Sequence, residues 1–213
     1  TIKDLKRIRY TTSHPINMDD ELIDLHSNNK KLMPFLHLPV QSGSSKILKM
    51  MNRKYDVEFY RDIIFKIRDK SPNIEISSDF IIGYPGESEQ DFINTLDLID
   101  DIKFTQSYSF IYSARPGTKS AMIEDNLTKK VKSERLKILQ SKLTEIQHDF
   151  NKTHVGKKTS VLIENQSATN PEYYFGRTPY MQSVYIKSNN LINGEEKDIK
   201  ITSCNHKSLY GTC

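Results

Sequence analysis

Along the first two-thirds of the chain, apolar positions switch repeatedly between a two-residue and a three-to-four-residue spacing. Arg7 to Thr12 alternates like a strand, and Asp19 to Ser27 sets Leu22, Ile23 and His26 along one helical side. Phe35 to Val40 predicts a second strand, interrupted by Pro39, with Ser44 to Asn52 helical after it. Val57 to Lys70 places Tyr60, Ile63, Ile64 and Ile67 on one stripe, and Ser71-Pro72-Asn73 stops that helix. Ile74 to Ile82 predicts a third strand running into Gly83-Tyr84-Pro85-Gly86. Ser88 with Asp91 then forms a capping box ahead of Phe92, Leu96 and Ile99. Ser107 to Tyr112 predicts a fourth strand, and Thr128 caps a longer helix carrying Leu136, Leu139, Leu143, Ile146 and Phe150. Strands separated by helices of this length imply parallel strands with crossovers, hence an α/β sheet or barrel.

Past Gly156 the rhythm changes. Thr159 to Ile163, Tyr173 to Thr178, Ser183 to Lys187 and Asp198 to Thr202 are short strands between Asn, Pro and Gly turns, the pattern of a small antiparallel barrel or sandwich. The expected organisation is an α/β domain over 1–150 and a small all-β domain over 151–213.

Composition bounds the function classes. With 11 Tyr and 9 Phe in 213 residues, the chain carries enough aromatic area to order itself. No apolar run approaches the ~18 residues of a membrane span, and the sequence opens without a secretory leader, so a cytoplasmic protein is expected. Cys204 and Cys213 are too few for a structural zinc site or an iron–sulfur cluster and are expected as inert thiols. Charge is segregated: 1–54 and 129–158 are net basic, 55–128 is net acidic and 159–213 is balanced. The basic segments either meet a polyanion or solvate their elements, as Lys129, Lys130, Lys132, Lys137 and Lys142 would on a helix.

Candidate chemistry gathers where the strands end. Thr12-Ser13-His14-Pro15, Gln41-Ser42-Gly43-Ser44, Gly83-Tyr84-Pro85-Gly86-Glu87 and Ser113-Ala114-Arg115-Pro116-Gly117 each follow a strand, at the end where parallel folds assemble their sites. Gly83 and Gly86 admit a flat ligand against bare backbone, and Gly43 precedes a helix start that attracts anions. Asp79 stands in an Ile- and Phe-rich strand, so its carboxylate either accepts from a ligand diol or pairs with a cation. Arg53 either holds a ligand carboxylate bidentately or solvates a helix end.

HLPVQSGS (37–44), MNRKY (51–55), SSDFIIGYPGE (77–87) and YSFIYSARPGT (108–118) resemble the radical S-adenosylmethionine (SAM) methylthiotransferases of the MiaB type, and GKKTSVLIE (156–164), FGRT (175–178) and SLYGTC (208–213) resemble their TRAM domain. The resemblance implies the later part of a partial, TIM-like (β/α) barrel followed by an OB-like RNA-binding barrel. It implies that Gln41 and Arg53 address the methionine end of SAM, Arg53 through its carboxylate, that Asp79 binds the ribose and that Ser42 is also a cofactor-binding residue. Ile82, Gly83, Gly86, Ser113, Ala114 and Arg115 would pack around the adenine. It further implies two [4Fe–4S] clusters in the full-length enzyme. Their cysteines do not occur in this sequence, which begins at Thr1 about where the third barrel strand is expected; the chain alone is expected to be inactive. The partners implied are tRNA, at its anticodon stem-loop, and an electron donor such as flavodoxin or ferredoxin.

The loop at residues 9–15 most resembles the branch acting on isopentenylated adenosine. The branches acting on threonylcarbamoyl-adenosine or on a ribosomal protein, and a non-catalytic RNA-binding module, remain alternatives. Arg9, His14, Lys157, Lys158 and Arg177 are the candidate RNA contacts, with Tyr173 and Tyr174 either stacking on bases or filling the small barrel. A split barrel would also leave apolar strand faces uncovered, so poor solubility is expected.

Overall fold

The structure, a computed structural model, describes all residues except 1, 3, 12, 13 and 169. The chain forms two compact units, Thr1–Leu143 and Thr144–Cys213.

In the first unit three strands, β1 (Phe35–His37), β2 (Glu75–Ile82) and β3 (Gln106–Ile111), pair in the order β1-β2-β3, all parallel. The helices are α1 (Asp20–Asn28), α2 (Ser45–Met50), α3 (Val57–Lys70), α4 (Glu89–Ile102) and α5 (Lys129–Lys152). Each follows its cap: the side chains of Asp19, Ser44, Asp56 and Ser88 accept from first-turn amides, and the Ser88–Asp91 capping box closes in both directions. Thr128 Oγ1 accepts from the Val131 amide at the start of α5.

Strand alternation separates the two faces of the sheet. Leu36, Ile76, Phe80 and Ile82 are fully buried in a core that also holds Tyr60, Ile64, Ile67, Phe92, Leu98, Ile99 and Phe104. Tyr60 and Phe80 both lie against the Phe104 ring, and the Tyr60 hydroxyl donates to the Leu38 carbonyl at 2.7 Å. The opposite face carries His37, Ser77, Asp79, Tyr108 and Phe110, joined by register: His37 pairs with Ser77, Asp79 with Tyr108 and Ile81 with Phe110. Tyr108 and Phe110 are more than half exposed.

Two strand expectations change here. Within Arg7 to Thr12, the described residues make isolated parallel bridges, Ile8 with Leu32 and Thr11 with His37, instead of a continuous strand; Thr12 lies outside the described residues. The second strand is shorter than Phe35 to Val40, because Pro39 has no N–H to give the ladder.

The second unit closes five strands, β4 (Lys158–Gln166), β5 (Tyr173–Arg177), β6 (Ser183–Lys187), β7 (Glu196–Cys204) and β8 (Ser208–Thr212), into a barrel of order β4-β5-β6-β8-β7. All pairs are antiparallel except β6 with β8. This is the OB-like arrangement, with Val161, Ile163, Tyr174, Val184, Ile186, Ile199, Ile201 and Leu209 inside. The sequence reading missed β8. It contains Gly211, where an added Cβ would lie 2.6 Å from both Ile199 Cγ2 and the Lys200 carbonyl oxygen, so close strand crossing replaced the expected apolar residue. The division between the units falls inside α5, ahead of the 150/151 boundary. The last turn of the helix bonds within the barrel unit, Asn151 donating to the Asn205 carbonyl and accepting from Gln182. Among the described residues, no helix is long and apolar enough to cross a membrane.

Candidate functional site

The carboxyl ends of β1 and β2 bring Gln41 and Asp79 together. Gln41 adopts φ +76° and forms an isolated parallel bridge to Phe80. Its amide donates to the Asp79 carbonyl, and its own carbonyl accepts from the Ile81 amide, both at 2.9 Å. The Asp79 carboxylate is partly exposed on the open sheet face, with His37 Nε2 at 3.6 Å. Ser77 Oγ meets the other nitrogen of that imidazole at 2.9 Å, and the Tyr108 ring lies edge-on to it. His37 is the residue the sequence reading passed over. Its place one strand from Asp79 follows only from the parallel register, which no single strand reveals.

Arg53 follows α2 and is half-buried, its amide donating to Leu48. Two residues on, the Tyr55 hydroxyl donates to the Val40 carbonyl at 3.0 Å. Burial pushes the Tyr55 phenol up to about 12, with Arg53 opposing. His14 packs edge-on against Tyr55 with ring centroids 5.0 Å apart. Burial and then the Arg53 charge lower its pKa below the ordinary imidazole value. Lys49, Arg53, Tyr55 and Phe59 line a hollow of about 470 Å³.

Ser42 and Gly43 serve packing. The Ser42 hydroxyl accepts from the Ser44 amide and sits 3.5 Å from Thr95 Oγ1, while the Gly43 amide donates to that same threonine. A Cβ on Gly43 would lie 2.5 Å from the Asn94 carbonyl oxygen, so the expectation of an anion-attracting helix start gives way to close apposition with α4. Gly83 likewise has φ +71°, and its open side is filled by the Lys132 stem, whose Cγ would stand 2.6 Å from an added Cβ. Lys132 is buried and paired with Asp125, and Lys142 pairs with Asp100 at 2.5 Å, so neither simply solvates α5.

The loop at 83–87 is held from below. Glu87 Oε2 accepts from the Gly83 amide at 3.0 Å and from Arg135 at 2.8 Å, with both side chains buried. Gly86 has φ +85° and gives its carbonyl to Lys46 Nζ. Ile82 ends β2, its carbonyl accepting from the Tyr112 amide at 2.8 Å. Ser113, Ala114 and Arg115 are exposed, and Ser113 and Arg115 join Ile81, Phe110, Tyr112 and Thr118 around a hollow of about 340 Å³.

The candidate RNA contacts divide between the two units. Arg9 and His14 are half-buried near the start of the first unit, and Thr12 and Ser13 of the same loop lie outside the described residues. In the barrel, Lys157 and Lys158 are exposed. Arg177 donates to the Met181 carbonyl, lies 3.8 Å from Glu164 and covers the Phe175 ring. Tyr174 is a core residue, whereas Tyr173 is half-buried on the outer face.

Cys204 and Cys213 are free thiols, and among the described residues no group of three or more His, Cys, Asp and Glu side chains is placed to hold a metal ion. These residues therefore do not fit an iron–sulfur cluster. The Asp79 carboxylate is partly exposed, while Ile81 and Arg53 line two separate hollows.

The radical SAM superfamily model matches residues 2–99 and the TRAM domain model matches residues 152–213. The chain is 52% identical over 211 residues, 99% of its length, to the tRNA-2-methylthio-N(6)-dimethylallyladenosine synthases of Rickettsia felis and Rickettsia conorii. It spans about half the length of these curated relatives, 47% in each case. Among solved structures it is similar in fold to coproporphyrinogen III oxidase (HemN) of Escherichia coli, described as a radical SAM enzyme. The TM-score is 0.52 at 16% identity, covering 78% of this chain and 45% of that one. The chain therefore carries a radical SAM segment over residues 2–99 followed by a TRAM domain over residues 152–213.

Proposed function

We propose that this chain supplies the C-terminal half of a tRNA methylthiotransferase acting on isopentenylated adenosine beside the anticodon. The observation that carries the reading is the junction of Gln41 and Asp79 at the carboxyl ends of β1 and β2, in a chain 52% identical to synthases of that name. When bound, SAM supplies the radical that activates an inert C–H bond and the methyl group that is transferred. The chain's own residues bind and orient it. The Asp79 carboxylate accepts from the ribose hydroxyls, Arg53 pairs with the methionyl carboxylate and Gln41 fixes the strand end between them. The 82–86 and 113–115 backbones flank the adenine, and the Glu87–Arg135 pair holds the first of these loops in place. Aiming the cofactor and excluding water is the whole of this half's task, so no general-base dyad is needed.

The clusters, their cysteines and the docking of a ferredoxin- or flavodoxin-type donor belong, in this reading, to polypeptide outside the chain. The small barrel holds the RNA. The test is to express the full-length protein in cells lacking this modification and to analyse tRNA nucleosides by mass spectrometry. The expected product is 2-methylthio-isopentenyladenosine, lost in the Asp79→Ala variant. Methylthiolation of threonylcarbamoyl-adenosine or of a ribosomal-protein aspartate instead would reassign the substrate.

A further inference from the structure

The Asp79 carboxylate lies on the open sheet face between two side chains that its own strand does not supply. In β1, His37 pairs in register with Ser77, two residues before Asp79 on the same face of β2. Diagonal neighbours on one sheet face are within reach of a ring, and here the imidazole spans the gap. Its Nδ1 lies 2.9 Å from Ser77 Oγ, and its Nε2 lies 3.6 Å from Asp79 Oδ2. On the far side, Tyr108 of β3 pairs with Asp79 in register. Its ring stands edge-on to the imidazole, with centroids 6.2 Å apart.

This arrangement fixes both the place and the polarity of the imidazole. The His37 backbone bridges Thr11 on one side and pairs with Ser77 on the other, so the ring starts from a held position. Ser77 is buried, and its hydroxyl has Nδ1 as partner. An imidazole that accepts at Nδ1 carries its proton on Nε2, so an N–H faces the carboxylate. A neutral donor orients a carboxylate without cancelling its charge, whereas a lysine or arginine in the same place would neutralise it. The carboxylate therefore keeps its full acceptor strength for a ligand hydroxyl.

We propose that His37 is a positioning residue for Asp79: Ser77 fixes the imidazole tautomer, and the Nε2–H steers one carboxylate oxygen so that the other accepts from the ribose hydroxyls of SAM. Hydrogen bonds of this kind are often long in a ligand-free site and tighten when the ligand arrives, as the 3.6 Å separation allows. The inference rests on the SAM-binding reading above and deepens it, because it concerns how the carboxylate is aimed. A histidine that merely tied β1 to β2 would affect every ligand of the site alike. One that acts through Asp79 affects only ligands that carry the diol.

The test is calorimetric titration of the 213-residue chain with SAM and with its 2′,3′-dideoxyribose counterpart. His37→Leu is expected to weaken SAM about fivefold or more, the scale on which supporting partners tune a binding group, and to leave the dideoxy ligand unchanged. His37→Gln, which restores an N–H of similar reach, should recover most of the loss. In the Asp79→Ala background His37→Leu should cost nothing further, because the group it positions is gone. Thermal melts identify a variant that has lost its fold, in which case His37→Ala takes the place of His37→Leu in every comparison. Equal losses on the two ligands, no recovery by glutamine, or an undiminished loss without Asp79 overturns the assignment. If Asp79→Ala weakens SAM and His37→Leu does not, the assignment falls while the SAM reading stands. If the wild-type chain does not bind SAM, or Asp79→Ala binds it as well as wild type, the SAM reading falls and the assignment with it.

Discussion

At single residues, the structure adds packing demands to groups whose types alone suggested ligand chemistry. Gly43 and Gly83 both stand in strand-end loops, and each also allows a close approach, of α4 backbone and of the Lys132 stem respectively. The two should respond differently to alanine. Gly43→Ala drives a Cβ into backbone that cannot yield, and is expected to cost about 2–4 kcal/mol in denaturant unfolding. Gly83→Ala meets a side chain that can move and a left-handed φ, and is expected to cost about 1–2 kcal/mol.

Glu75, half-buried at the start of β2, offers a pH signature. Burial raises its pKa to about 7, against the opposing effects of Arg68 and a hydrogen bond from Thr105. The folded chain therefore holds this proton more tightly than the unfolded chain, whose glutamates titrate near about 4.3. The stabilisation is complete below that value and is lost as pH rises through about 7. Glu75→Gln should remove this loss. Its unfolding free energy relative to wild type should rise between pH 5 and pH 8, as followed by urea titrations at each pH, and a flat difference would refute the assignment.

Among the elements, α5 contributes most to site geometry without entering the site. Arg135 reaches from it to Glu87, whose carboxylate also accepts from Gly83, so the loop after β2 is braced by a buried ion pair. Arg135→Met leaves Glu87 buried without its cation and is expected to destabilise the chain by about 3–5 kcal/mol. Glu87→Gln together with Arg135→Met should recover much of that loss, a double-mutant cycle measurable by chemical denaturation. Element type was legible wherever periodicity and a cap coincided. Val57–Lys70 emerged with its predicted ends, and Ser88 with Asp91 built the capping box their spacing implied. Legibility failed where pairing, not pattern, decides. Residues 7–11 make bridges without a strand, β1 stops short of Pro39, and β8 hides behind Gly211.

For the molecule as a whole, the sequence carries the two architectures in order, a parallel α/β unit and a closed five-stranded barrel. Motif spacing made the candidate site residues readable as a set of strand-end loops. Hidden from it were the partners each residue acquires across strands, such as His37 beside Asp79, because register joins residues distant in sequence. The open sheet face, with Tyr108 and Phe110 exposed beside Asp79, is where a SAM-binding account must succeed. Calorimetric titration of SAM into the 213-residue chain, wild type against Asp79→Ala, tests it most directly. The account predicts saturable binding by wild type, weakened about tenfold or more by the substitution, as loss of a hydrogen bond to a charged group requires. Equal affinities for the two proteins would contradict it.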